Sequence, residues 1–273
     1  MKILIATGGS SHSEKALRMG AELIRCVDET PVVLTVARRK QDQPLAEAAL
    51  QRARFLLADV PCDIETRLRH GRPVEQIIAE AKEGSYGLII LGERQTHTLK
   101  ARLLGSVALQ VVERAACPVL LAKGEIRPIR RILLCDSGAV VPSLLSRFTA
   151  QLADTLLGEE HITVLHVMSQ ITAWPGVPDE DLQASAEELI EERTPEGEWL
   201  ASGLEVLSHP GIHAVAKVRH GAVVDEILAE SQENDYDLVV IGAHRDAGWQ
   251  RVLLADIARE LIKHLERPVL VVR

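Results

Sequence analysis

Tyr86-Gly87-Leu88-Ile89-Ile90-Leu91-Gly92 and Tyr236-Asp237-Leu238-Val239-Val240-Ile241-Gly242 are one pattern written twice, 150 residues apart. Each is a tyrosine, a turn residue, a continuous apolar run and a glycine, which reads as a strand buried on both faces. The same offset carries Arg69-His70-Gly71 onto Arg219-His220-Gly221, Leu103-Leu104 onto Leu253-Leu254, and Pro118-Val119-Leu120 onto Pro268-Val269-Leu270. One offset over four blocks marks a duplication, and a period this long is a domain rather than a solenoid unit. The starts of the halves match at an offset of 129, Ile3-Leu4-Ile5 against Ile132-Leu133-Leu134. The second half therefore carries about 21 extra residues, expected mostly within 168–205. That stretch reads as a surface excursion through Trp174-Pro175-Gly176-Val177-Pro178, then a longer helix. The expected domains are residues 1–123 and 131–273, joined by a short linker over 124–130.

Around that pattern the first half alternates strand and helix. The expected strands are Lys2–Thr7, Val32–Val36, Ile64–Leu68, Leu88–Leu91 and Val119–Ala122. The expected helices are Ser13–Val27, capped by Ser11 or Ser13, then Pro44–Ala58, Pro73–Lys82 and Leu103–Arg114. The second half repeats the order. Five strands alternating with four helices imply a Rossmann-like α/β fold, a doubly wound parallel sheet in each domain with helices on both faces. With strand order 3-2-1-4-5, a ligand would sit outside the carboxyl ends of strands one and four. The loops at issue are Thr7–His12 and Gly92–Arg102, then Asp136–Val140 and Gly242–Arg251. The last strands, Val119–Ala122 and Val269–Val272, are natural edges, and exposed edges seek partners. The two domains are expected to pair through them as an intramolecular pseudo-dimer.

Composition narrows the function. The chain has 273 residues and a net charge of −8 at pH 7. That sign opposes a phosphate backbone, so nucleic acid is not an expected partner. No apolar run reaches the roughly 18 residues that a membrane-spanning helix needs. Cys26, Cys62, Cys117 and Cys135 form no Cys-x-x-Cys pair, and read as buried free thiols of a reducing compartment, with the cytoplasm as the default location.

Gly92-Glu93-Arg94-Gln95, followed after nine residues by Gly105-Ser106, resembles the nucleotide loop of the universal stress protein family. That loop spaces Gly, two residues, Gly, nine residues, Gly, and Ser or Thr. Ile3-Leu4-Ile5-Ala6 with Gly9-Ser10 and Ser13-Glu14-Lys15-Ala16-Leu17 resembles the family's opening, and Cys117-Pro118-Val119-Leu120-Leu121 its closing strand. The likeness covers nearly the whole chain, twice. It implies a stress-response role, ATP or another adenine nucleotide as ligand, and binding or slow turnover rather than dedicated catalysis. Glycines would let the backbone approach phosphates, and N–H groups at the helix start near Ser106 would supply donors.

Both halves depart from that pattern. The resemblance implies an Asp after the first strand, near the adenine. In the first half that position reads as Gly8, followed by Gly9 and Ser10, and Gln95 replaces the second loop glycine. Gly92, Gly105 and Ser106 remain. In the second half Asp136 matches the carboxylate and Gly242 opens the loop, but Ala255-Asp256 stands where Gly-Ser belongs. Asp256 is expected at the helix N-terminus, where its charge caps the helix and repels a phosphate. ATP is therefore a ligand expected of the first half alone, if of either.

Other signals carry less. His70-Gly71 and His220-Gly221 read as strand-to-helix turns, with a ligand contact as the sharper alternative. His12 lies beside the first loop, as a solvated helix start or a phosphate contact. Proline and glycine between His209 and His213 forbid a helical zinc pair. Trp249 reads as a plug of the second loop or as cover for the domain junction. No P-loop, nucleophile elbow or His-Glu-x-x-His motif is present. Thr7-Gly8-Gly9-Ser10-Ser11-His12 departs from the Ser-Gly-Gly-x-Asp-Ser pyrophosphatase loop at its last two positions. The expectation is a non-catalytic tandem stress protein with eroded nucleotide sites, a homodimer being a further expected association. The rival is an ATP-binding switch or slow ATPase using Gly92–Ser106.

Overall fold

Ile3-Leu4-Ile5, Leu88-Ile89-Ile90, Ile132-Leu133-Leu134 and Leu238-Val239-Val240 are all wholly buried. Consecutive buried residues on a strand require cover on both faces, which is the condition of a parallel sheet between helical layers. The computed structural model describes residues 1–24, 29–93, 107–136, 143–156, 158–168, 184–242 and 249–273, with the backbone only over 249–255.

The elements in chain order are β1 (Ile3–Ala6), α1 (Ser11–Leu23), β2 (Val32–Ala37), α2 (Gln43–Leu56), β3 (Glu65–His70), α3 (Pro73–Glu83), β4 (Leu88–Gly92), α4 (Val107–Arg114) and β5 (Val119–Ala122). The second half adds β6 (Arg131–Cys135), α5 (Leu144–Ala153), β7 (Glu160–Met168), α6 (Ala186–Glu191), α7 (Pro195–Val206), β8 (Ile212–His220), α8 (Val223–Glu233), β9 (Leu238–Gly242), α9 (Trp249–His264) and β10 (Val269–Val272).

The contacts divide the chain into two units: Met1–Pro128 with Glu266–Val271, and Ile129–Leu265 with Val272–Arg273. In the first unit the strands run in the order β3-β2-β1-β4-β5, all parallel. β10 lies antiparallel on β5, with Leu270 opposite Leu120. In the second unit β8-β7-β6-β9 repeats the same order, again parallel. Helix α1 packs with α2 and α3 with α4, and in the second unit α5 packs with α7 and α8 with α9. Each sheet therefore carries two helical layers.

Several local expectations change. Ser10, not Ser11 or Ser13, caps α1: its Oγ accepts from the Ser13 N–H at 3.3 Å. β3 runs on to His70 instead of stopping at Leu68. The longer helix expected after the excursion is two helices, α6 and α7. Arg193 takes a positive φ of 54° between them, and Thr194 caps the second through the Gly197 N–H at 3.0 Å. Cys135 is buried, whereas Cys62 and Cys117 are partly exposed. Burial raises all three thiols above their ordinary pKa. Residues 169–183, holding most of the excursion, lie outside the described residues.

The run of β3 past Leu68 has a cause in α3. That helix buries Val74, Ile77, Glu80 and Ala81, so a carboxylate sits in its apolar stripe. Glu80 is fully buried. Its Oε1 accepts from the Tyr86 hydroxyl at 2.9 Å and from Arg67, and its Oε2 from Arg69 Nε at 2.6 Å. The second unit rebuilds this around Glu230. There Tyr236 donates at 2.8 Å, Arg219 at 2.9 Å, and Lys217 pairs at 2.6 Å. The alternating cations of β3 and β8 thus belong to buried carboxylates on the facing helices, as buried charge requires.

Candidate functional site

The carboxyl ends of β1 and β4 meet at the start of α1. Ala6 is paired with Leu91 in the ladder, which sets Gly92 beside the chain that leaves β1. A Cβ on Gly92 would stand 2.0 Å from the His12 carbonyl oxygen and 2.8 Å from Ser13 Cα. Only glycine lets these two backbones touch. Thr7 closes the strand: its N–H donates to Leu34 O at 2.9 Å and its hydroxyl to Ser13 Oγ at 3.2 Å. The Thr7 carbonyl accepts from Thr35 Oγ1. The chain then turns through Gly9, whose φ of 74° suits glycine, into the Ser10 cap. Gly8, Gly9 and Ser10 are all exposed, and nothing lies within 4 Å of a Cβ built on Gly8. The turn is therefore open, and its hydroxyls and the first N–H groups of α1 lie beside the end of β4.

A charged pair flanks this mouth. Glu93, the next residue after Gly92, reaches Lys123 Nζ at 3.2 Å. Lys123 is buried at the end of β5. Burial lowers its pKa, against the pull of Glu93 and Glu266. Sequence alone signals this pair only as a lysine ending an apolar strand. Gln95, Gly105 and Ser106 lie outside the described residues.

The second unit builds the same corner differently. Asp136 N–H donates to Leu165 O at 3.2 Å, the bond that Thr7 makes to Leu34 in the first unit. The residue equivalent to Asp136 is therefore Thr7 and not Gly8, because the ladder counts from β1 and β6 without a gap. Asp136 is buried, and its Oδ2 accepts from the Ser143 hydroxyl. Ser143 also caps α5, accepting from Leu145 N–H at 3.1 Å and Ser146 N–H at 3.4 Å. His166 Nδ1 lies 3.5 Å from the Asp136 carbonyl oxygen, and its ring is 5.1 Å from that of Trp199 on α7. Burial is the main cause of a lowered His166 pKa. Ser143→Ala should remove the cap and cost about 1 kcal/mol, measured as a loss of unfolding free energy in urea melts.

The expectation for Asp256 fails. Helix α9 begins at Trp249, so Asp256 lies in its third turn, about 10 Å along the axis from the start. It is 63% exposed and 3.9 Å from Arg259, an i,i+3 neighbour. It neither caps the helix nor faces an anion held at its first turn, since the end effect fades within that turn. The Trp249 side chain, and the plug read for it, lie outside the described residues. Gly242 is set less tightly than Gly92, since among the described residues the atoms nearest a Cβ there belong to the Leu145 side chain, at 3.2 Å.

The duplication extends to the family match. A model of the universal stress protein family matches residues 1–123 and again residues 128–273. The chain belongs to the universal stress protein family. Universal stress protein YxiE of Bacillus subtilis is 28% identical over 145 residues, covering 45% of this chain and 98% of that protein. Universal stress protein MJ0531 of Methanocaldococcus jannaschii is 28% identical over 138 residues, covering 45% and 81%. Single relatives of this family thus match about one half of the present chain. A solved universal stress protein from Archaeoglobus fulgidus matches the whole fold with a TM-score of 0.70, at 22% identity, over 100% of this chain and 96% of that one. Within this tandem universal stress protein the turns after β3 and β8 are built alike. Gly71 and Gly221 have φ of 131° and 148°, and each N–H bonds back to the neighbouring strand at 3.0 and 3.1 Å. His220 Nε2 lies 3.2 Å from Ala184 O, a contact within the protein. No described helix is long and apolar enough to cross a membrane.

Proposed function

We propose that the protein acts in the stress response by binding and sensing rather than by dedicated catalysis, and that any adenine nucleotide it takes is held by the first half. The observation that supports this is the open turn of the first unit, where Gly8, Gly9 and Ser10 are exposed. At the equivalent buried position after β1 and β6 the first unit carries the neutral Thr7 and the second the carboxylate Asp136, bonded to Ser143. An open turn next to helix-start donors offers an anion its partners, and a carboxylate already satisfied inside the protein offers a ligand little. In this reading Gly8, Gly9, Ser10, Gly92, Gln95, Gly105 and Ser106 line the first site, and Asp136 and Gly242 mark its eroded counterpart. The cytoplasmic location stays part of the proposal.

A second reading, an ATP-binding switch or slow ATPase in the first half, draws on the same open turn. Calorimetry with ATP and AMP separates the two. Any saturable heat is expected to fall at least about tenfold in affinity in Gly105→Asp, because a like charge near the phosphate costs more than about 1.4 kcal/mol. Asp136→Asn should leave it unchanged. Micromolar binding with this pattern favours the switch. No heat at millimolar nucleotide leaves the sensing and interaction role, without a nucleotide. Binding lost in Asp136→Asn but kept in Gly105→Asp would overturn the assignment to the first half.

A further inference from the structure

We propose that His161 and His213 form a two-imidazole site for a divalent transition ion, with Cu2+ held more tightly than Zn2+ or Ni2+. The two residues are direct register partners in the parallel ladder of β7 and β8. Partners in register put their side chains on the same face, with Cβ atoms about 5 Å apart. Their rings stack, with centroids 5.1 Å apart and planes 22° from parallel, and both residues are exposed. An imidazole nitrogen binds zinc at about 2.0–2.1 Å, so two rings sharing an ion need nitrogens no more than about 4 Å apart. Rotation of two exposed side chains reaches that separation while the backbone, held in a ladder from Glu160 to Met168, stays fixed.

The neighbouring charges leave the pair available. His209 is engaged by Asp154 at 3.3 Å, and Arg130 is drawn 3.6 Å from the buried Glu160 carboxylate. Among the described residues no three His, Cys, Asp or Glu side chains gather to hold an ion. The site therefore offers two nitrogens and leaves the remaining positions to water or an external donor. Two nitrogens alone do not make a closed structural zinc site, which takes four protein ligands. Two imidazoles without a carboxylate favour Cu2+, Ni2+ and Zn2+ over Mg2+ and Ca2+, and the divalent series places Cu2+ highest.

The test is titration of the full chain with Cu2+ and with Ni2+, in wild type, His161→Ala, His213→Ala and His209→Ala. Losing even an outer partner of a metal ligand costs about 10–100-fold in affinity, so losing a ligand should weaken binding at least about tenfold. That loss is expected in His161→Ala and in His213→Ala, with His209→Ala unchanged and all three melting like wild type. Electron spin-echo spectra of the Cu2+ complex should show two imidazoles in wild type and one in each single variant. Wild-type affinity retained in either single variant, a single imidazole in the wild-type spectrum, or no binding at all overturns the proposal.

Discussion

Replacing Glu80 with alanine should destabilise the first unit by about 3 kcal/mol, and Glu230→Ala should do the same to the second. Each change leaves a tyrosine hydroxyl and two cations facing an emptied, buried position. The loss stays near the lower end of the range for broken buried pairs because the arginines keep other partners. Arg67 also binds Glu65 at 2.7 Å, Arg69 also binds Glu83, and Arg219 also binds Glu226 at 2.8 Å. Tyr86→Phe, which removes one hydrogen bond to the carboxylate, should cost about 1–1.5 kcal/mol. Glu83→Ala removes an exposed, solvent-screened partner and should cost the least of the four. Urea melts at pH 7 rank the four variants, and equal costs for Glu80→Ala and Glu83→Ala would refute the network's role.

The same network sets a pH dependence. Burial alone would raise the Glu80 pKa, but the hydrogen bonds from Tyr86, Arg67 and Arg69 outweigh it and hold the group below its ordinary value. Glu230 is lowered in the same way against burial, by Lys217, Tyr236 and Arg219. A folded-state pKa below the unfolded one, about 4.3 for Glu, gives stability that is fully present above the unfolded value. It is lost as pH falls through the folded value. Wild-type stability should therefore fall as pH drops below about 4.3, and Glu80→Gln should show a shallower fall in that window with a lower plateau at pH 7.

Gly92→Ala should cost about 2–3 kcal/mol, whereas Gly242→Ala should cost under about 1 kcal/mol. The two glycines end equivalent strands, so sequence position alone would rate them equal. At Gly92 the added methyl meets backbone, the His12 carbonyl at 2.0 Å, and either β4 or the start of α1 must move. At Gly242 it meets the end of the Leu145 side chain at 3.2 Å, which has to give by only a few tenths of an ångström. Thermal melts of both variants measure the difference. The displacement at Gly92 also spreads the turn through Gly8–Ser10 from the end of β4, so any first-half nucleotide affinity should fall with it. Equal melting shifts would mean that the contact with α1 is not held in solution.

The fold was legible because its signals are local. An apolar run such as Leu88–Leu91 must be covered on both faces wherever it goes, and β4 is where that run lies. β5 keeps the bounds that its own residues prescribe, Val119–Ala122, and a repeated offset aligns the halves without reference to structure. Boundaries moved where distant groups took hold, as at β3, whose Arg69 is claimed by Glu80 on α3. Glu80 and Glu230 also obey the 150-residue offset together with their tyrosines. The signal was present in the repeat, but a carboxylate on a helix reads as solvated until its burial is seen.

The site was only partly legible for the same reason. Spacing located the corner at Gly92, but equivalence across the halves depends on ladder bonds, which put Thr7 and not Gly8 opposite Asp136. Whether Asp256 meets an anion depends on where α9 starts, and helix starts are fixed by the chain's exit from the preceding loop. His161 and His213 are far apart in the chain and met only through strand register. Sequence by itself determined that there are two α/β halves and where their strands fall, since apolar burial acts residue by residue. Tertiary structure alone decided which polar groups face one another, because that depends on register and helix placement, where one residue of slip turns a side chain to the opposite face.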